Sequence, residues 1–208
     1  MPPTAYIPKP NALEWDLKTI RERLAYIIKE KSIQIAPPGQ PFLLNSGLKS
    51  NYYINGKLAT SDPEGLFCAA RLILEEVLKC GVEAVGGPTL GADALVSGVA
   101  VLSLLLGCPT PLFIVRKEAK KHGTMSLIEG PEITGKKVLL VEDVITTGGS
   151  VLRAAAAVRA QGGSIVKLVA LVDREQGGKA ALEKAEIPYS PIFSIRELLP
   201  PHILDPAS

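Results

Sequence analysis

The chain has 208 residues, 47% of them hydrophobic, and its 23 Lys and Arg against 21 Asp and Glu leave a net charge of +2. That length and apolar content support one substantial core. So mild a charge excludes the broad basic face of a nucleic-acid or membrane binder, which leaves electrostatic function to local clusters.

Cys68, Cys80 and Cys108 are odd in number, lack CxxC spacing and sit in apolar segments. They exclude a disulfide or zinc framework and point to reduced thiols in a cytoplasmic protein. The opening "MPPTAYIPKPNALEWD" has neither the basic nor the apolar region of a secretory signal.

In chain order, Leu17, Ile20, Leu24, Ile27 and Ile28 fall on one face of an amphipathic helix. "PFLLNSGLKSNYYIN" holds two β-prone runs around Asn45-Ser46-Gly47 and predicts a hairpin. "SDPEGLFCAARLILEEVLKCG" predicts a helix capped by Ser61 or Asp62, with Pro63 in its first turn, Glu64 completing a capping box and Gly81 as its stop.

Strands then alternate with helices. Strand "VEAVGG" leads to a helix near 92–106, followed by strands "PLFIVRK" and "KVLLVED", a helix near 150–160, strand "SIVKLVALVD" and a helix near 178–186. The thirteen-residue run "ALVSGVAVLSLLL" is short of the ~20 residues of a membrane span and predicts a buried helix. Continuous apolar strands between helices imply an α/β fold whose mainly parallel sheet is covered on both faces, with ligands beyond the carboxyl ends of the strands.

At one such end stands "VLLVEDVITTGGS", with the strand read as Val138 to Val141 and Glu142 and Asp143 placed where it leaves the sheet. Two adjacent carboxylates would repel a bare phosphate but accept hydrogen bonds from a sugar's vicinal hydroxyls. Thr146, Thr147, Gly148, Gly149 and Ser150 follow at a helix N-terminus, where amides and hydroxyls hold phosphate. Together the two halves predict a ribose 5-phosphate site, against the plainer reading of an ordinary strand-to-helix turn. "GPEITGKK" approaches a Walker loop but ends in Lys137 and precedes its strand, and no GxGxxG follows any strand.

The stretch from Glu142 through Val144 and Ile145 to Ser150 resembles the phosphoribosyl-pyrophosphate (PRPP) motif of type I phosphoribosyltransferases. That resemblance implies the type I phosphoribosyltransferase fold in a single domain over 1–208, with a helix-and-hairpin hood over about 1–60 and a PRPP-binding core over about 61–190.

"FIVRKEAKKHGTMSLIEG" carries Arg116, Lys117, Lys120 and Lys121 against Glu118, a local charge of +3 beside His122. Cations there would stabilise a departing pyrophosphate, and a closing loop would exclude water. The order Arg-Lys-Glu-Ala-Lys-x-His-Gly resembles the catalytic loop of the orotate phosphoribosyltransferase family. By that resemblance Arg116, Lys117, Lys120 and His122 contact pyrophosphate, and Lys120, His122 and Asp143 are the catalytic residues. It also implies a homodimer in which the 116–130 loop reaches the other subunit's site.

Orotate is a planar anion that calls for a guanidinium and an aromatic face. Arg174, in "LVDREQGG", resembles the family's orotate-binding arginine, and Tyr52 and Tyr53 resemble its aromatic pair, with Thr146 shared between phosphate and base. Two positions depart from the best-known bacterial pattern. Asn45 replaces a lysine, and "GGPTLGAD" replaces a loop with a Tyr-Lys pair, so the amides of Thr89, Leu90 and Gly91 would meet pyrophosphate instead.

The resemblance thus implies transfer of a phosphoribosyl group from PRPP to orotate with Mg²⁺ held mainly by substrate oxygens and water, no metal site of the protein's own, no nucleic-acid partner and no membrane. The alternatives are a phosphoribosyltransferase for a purine or uracil, or a PRPP-sensing regulator.

Overall fold

The computed structural model describes residues 11–43, 49–118 and 126–204. Helix α1 (Leu17–Ile27) starts at Asp16, whose side chain accepts from Thr19 N, and buries Ile20, Leu24 and Ile27. A π-helical turn over Ile28–Ser32 leads into β1 (Ile33–Ile35), which pairs antiparallel with β4 (Tyr52–Ile54). Between them β2 (Phe42–Leu43) and β3 (Lys49–Ser50) pair antiparallel. The predicted hairpin is therefore only two residues deep, its turn lies outside the described residues, and Tyr52 to Ile54 pair with β1 instead.

After α2 (Gly56–Thr60) comes α3 (Pro63–Cys80), and Gly81 ends it in a left-handed conformation at φ 58°. Asp62 caps α3 through Gly65 N, whereas Glu64 binds Arg23 at 2.5 Å. The predicted capping box is absent because the cap falls one residue later than Ser61, which moves Glu64 out of the third helical position.

The central sheet has the order β10-β9-β8-β5-β6-β7. Its members are β5 (Ala84–Pro88), β6 (Leu112–Val115), β7 (Ile128–Glu129), β8 (Lys137–Ile145), β9 (Ser164–Asp173) and β10 (Tyr189–Ser194), all parallel except the β6–β7 edge. On one face α1, α3 and α4 (Asp93–Leu105) close a core that includes Leu24, Ile73, Leu95, Leu139 and Leu171. On the other, α5 (Gly149–Ala160) and α6 (Gly178–Lys184) cover Val138, Leu140, Leu168 and Ala170.

Helix α4 is buried on one face only. Leu95, Val96, Val99 and Leu102 point inward, while Val101, Leu104 and Leu105 are exposed. No helix among the described residues is long and apolar enough to cross a membrane.

The segment after Pro188 forms β10 and the short helix α7 (Ile195–Leu198), started by a capping box between Ser194 and Glu197. Arg21 of α1 ties this end down. It donates to Ile192 O at 2.5 Å, pairs with Glu197 at 2.5 Å and lies 4.3 Å from the Phe193 ring centroid.

Candidate active site

Strand β8 continues past Val141 to Ile145, so Glu142 and Asp143 lie within it, Glu142 opposite Ala170 and Ile145 opposite Asp173. The strand is longer than the sequence reading because β9 runs far enough to pair with it, and Val144 and Ile145 keep it apolar. On the opposite flank β5 pairs with β8 only as far as Leu140. The acids therefore emerge into an open notch under the β5–α4 turn. Glu142 and Asp143 are 4% and 8% exposed.

Gly91 of that turn touches both. A Cβ there would stand 2.3 Å from Asp143 Oδ1 and 2.9 Å from Glu142 Oε1. The Thr89–Leu90 peptide is cis, and the Thr89 hydroxyl donates to Asp93 Oδ2 at 2.8 Å. Burial, reinforced by the neighbouring charge of Asp143, pushes the Glu142 carboxyl up to about 8, against a lowering hydrogen bond from Ser150 Oγ at 2.7 Å.

Gly148, at φ 82°, turns the chain into α5, whose start carries no side-chain cap. Its first amides are left to an anion or water. The loop before it is clamped to α6: Gly178 N donates to Thr146 O at 3.0 Å, and a Cβ on Gly178 would meet Ile145 Cγ2 at 2.3 Å. Thr146 and Thr147 line a cleft of about 480 Å³ with Asp143, Val144, Tyr53 and Arg174. One acid, two residues of the phosphate loop and the base-site arginine thus meet in one cavity.

Arg174 lies one residue beyond β9, only 6% exposed. Its Nη2 donates to Ser50 Oγ at 3.3 Å and its Nε to Tyr52 Oη at 3.4 Å, with the guanidinium carbon 4.7 Å from the Tyr52 ring centroid. No carboxylate pairs with it among the described residues. A buried cation without a counter-ion is costly, so this guanidinium is poised for an anion from the cleft. The two tyrosines face opposite ways, as strand neighbours must: Tyr52 is 2% exposed under Arg174, and Tyr53 is 42% exposed on the cleft.

Arg116 pairs with Glu129 of β7 at 3.1 Å. Arg116, Lys117, Thr89 and Ser150 line a second cavity of about 420 Å³ alongside α5, floored by Ala156, Ala157 and Ala160. Thr89, Arg116 and Lys117 thus line a different cavity from the one that holds Asp143, Thr146 and Arg174. Lys120, His122 and Asn45 lie outside the described residues.

The cleft also contains Asn55 and Lys57, which no sequence signal singled out. Ser50 was equally unmarked, its role becoming visible only when β3 and β9 meet.

A family model described as "Phosphoribosyl transferase domain" matches residues 92–188. Orotate phosphoribosyltransferase from Nostoc sp. is 40% identical over 184 residues, covering 88% of this chain and 87% of that protein. The Aquifex aeolicus orotate phosphoribosyltransferase is 42% identical over 180 residues, covering 86% and 97%. Among solved structures, a Mycobacterium tuberculosis orotate phosphoribosyltransferase matches with a TM-score of 0.75 at 35% identity, over 86% of this chain and 98% of that one. A structure of that enzyme in complex with PRPP matches with a TM-score of 0.71 at 33% identity, covering 86% and 98%. The mainly parallel six-stranded sheet with helices on both faces is the type I phosphoribosyltransferase fold of these structures.

Proposed function

The chain belongs to the orotate phosphoribosyltransferase family, and on that footing we propose that its cleft joins PRPP to orotate, giving orotidine 5′-monophosphate and pyrophosphate in pyrimidine biosynthesis. The observation that carries this reading is Arg174, a buried guanidinium without a carboxylate partner among the described residues, in the cleft that also holds Asp143 and the Thr146-Thr147 loop. Its charge suits an anionic pyrimidine and leaves a neutral purine or uracil unable to repay its desolvation.

The acid pair accepts hydrogen bonds from the ribose hydroxyls. The amides of residues 146–150 and the start of α5 hold the 5-phosphate. The acceptor's N1 bonds to C1 of the ribose as the C1–O bond to pyrophosphate breaks and the N1 proton is released. Charge develops on the sugar and on the departing pyrophosphate. The amides of Thr89 to Gly91, with Arg116 and Lys117, meet that anion, and Lys120 and His122 complete the cationic shell when their loop closes.

No group of three or more His, Cys, Asp or Glu among the described residues could hold a metal ion. Two adjacent carboxylates fit a hard cation that arrives on PRPP and keeps phosphate oxygens and water as ligands. Mg²⁺ bound this way would neutralise pyrophosphate charge, and Asp143 would be the carboxylate to hold it. By likeness to the family, the active form is a cytoplasmic homodimer whose 116–130 loop serves the partner's site, and the first 60 residues form a hood over the core. The contacts of Ser50 and Tyr52 with Arg174 support that hood.

Pyrophosphate release, followed with PRPP, Mg²⁺ and each of orotate, hypoxanthine, adenine and uracil, tests the assignment. Release with orotate alone is expected, whereas turnover of a neutral base in its place would overturn it.

A further inference from the structure

Lys57 stands in the first turn of α2, half exposed, with Nζ 3.8 Å from Asp143 Oδ2. The helix can deliver it there because residue 56 is glycine. A Cβ at Gly56 would lie 3.0 Å from Asp143 Cβ and Val144 Cγ2 and 3.1 Å from Asp143 Oδ2. The backbone of α2 is therefore packed directly on Asp143, and the lysine side chain leaves it along the wall of the cleft.

Among the described residues lining that cleft, Lys57 and Arg174 are the cations. They differ in kind. Arg174 is buried and fixed by Ser50 and Tyr52, whereas Lys57 is a point charge on a flexible stem, in a long, weak ion pair that is easily exchanged. Asp143 is the carboxylate that a ribose diol would occupy, so Lys57 and the sugar compete for the same oxygens.

We propose that Lys57 is an acceptor-binding residue released by the sugar. In the free protein its ammonium rests on Asp143; when ribose hydroxyls take that carboxylate, the ammonium turns to an oxygen of the anionic acceptor across the cleft from Arg174. The inference rests on the assignment of orotate as acceptor and adds a coupling. Occupation of the ribose site strengthens binding of the acceptor, and linkage makes the effect reciprocal.

Ribose 5-phosphate fills the sugar site without permitting transfer, so titration calorimetry of orotate with and without it reads the coupling directly. The natural protein should bind orotate at least about fivefold more tightly when ribose 5-phosphate is present, a factor at the low end of allosteric coupling. Lys57→Met should bring that ratio to about one, and Lys57→Arg should restore most of it. Unaltered thermal melting of both variants would show that the fold is retained. If the ratio persists in Lys57→Met, or Lys57→Arg fails to restore it, the role of Lys57 is overturned while the acceptor assignment stands. If the natural protein binds no orotate under either condition, the acceptor assignment itself fails.

Discussion

At the scale of single residues, the site buries two ionisable groups in surroundings that disfavour their charge. Arg174 is solvated by an aromatic ring and two hydroxyls instead of a carboxylate, so its charge is buried at the expense of the fold. Arg174→Met should raise the orotate KM by roughly thirtyfold, equivalent to about 2 kcal/mol for a charge-assisted contact. Its melting temperature should hold or rise, because a buried unpaired cation has been removed. Steady-state kinetics and a thermal melt on one preparation check both halves. Glu142 answers the same constraint the other way, by holding a proton. Its carboxyl is raised from an ordinary 4.5 to about 8, so between these values the folded chain holds a proton that the unfolded chain has lost. That contribution to stability is fully present below the lower value and disappears as pH rises through the upper one. The melting temperature should therefore fall between pH 5 and 8 more steeply in the natural protein than in Glu142→Gln, which cannot titrate. Parallel slopes would show that Glu142 is not the group responsible.

At the scale of elements, the β5–α4 turn makes the acid pair usable, because its backbone rests on the carboxylates at Gly91. Gly91→Ala would place a carbon 2.3 Å from Asp143 Oδ1 and push the acid or the turn aside. A displacement of about an ångström near reacting atoms costs on the order of 100-fold. We expect a loss of that size in kcat/KM for PRPP, with far-UV circular dichroism unchanged. The sequence made much of this level legible. Strand β9 runs from Ser164 to Asp173, the full length of its apolar run, and α3 ends at Gly81 in the left-handed turn its glycine foretold. The motif of acids and small residues fell together at one strand end because it is local. What sequence reading missed depends on partners distant in the chain. β8 is extended by pairing with β9, Glu64, off the third helical position, pairs instead with Arg23, and Tyr52 faces inward because the β1–β4 register assigns it there. Lys57 belongs with these, since a lone lysine after a glycine has no signature until α2 is packed on β8.

At the scale of the molecule, the segment from β10 to Leu199 is part of the core. Ile192, Phe193, Ile195, Leu198 and Leu199 are all under 9% exposed. At about 1.5–3 kcal/mol for each buried side chain, they contribute roughly 8–15 kcal/mol, as much as the ~5–15 kcal/mol net stability of a typical domain. A chain ended at Pro188 should show no cooperative thermal transition. A sharp melt from that truncation would mean that the sheet closes without β10. The reason lies in β9: without β10, the stretch from Leu168 to Asp173, all six residues buried, becomes an unpaired sheet edge. Pro191, exposed on β10, withholds a donor from the outer side of that last strand and blunts the new edge it makes. During synthesis on the ribosome, then, this buried ribbon stays open until β10 has emerged. A nonsense mutation between the codons for Asp173 and Tyr189 should send the nascent product to proteases or inclusion bodies, leaving the cell without a partly active enzyme.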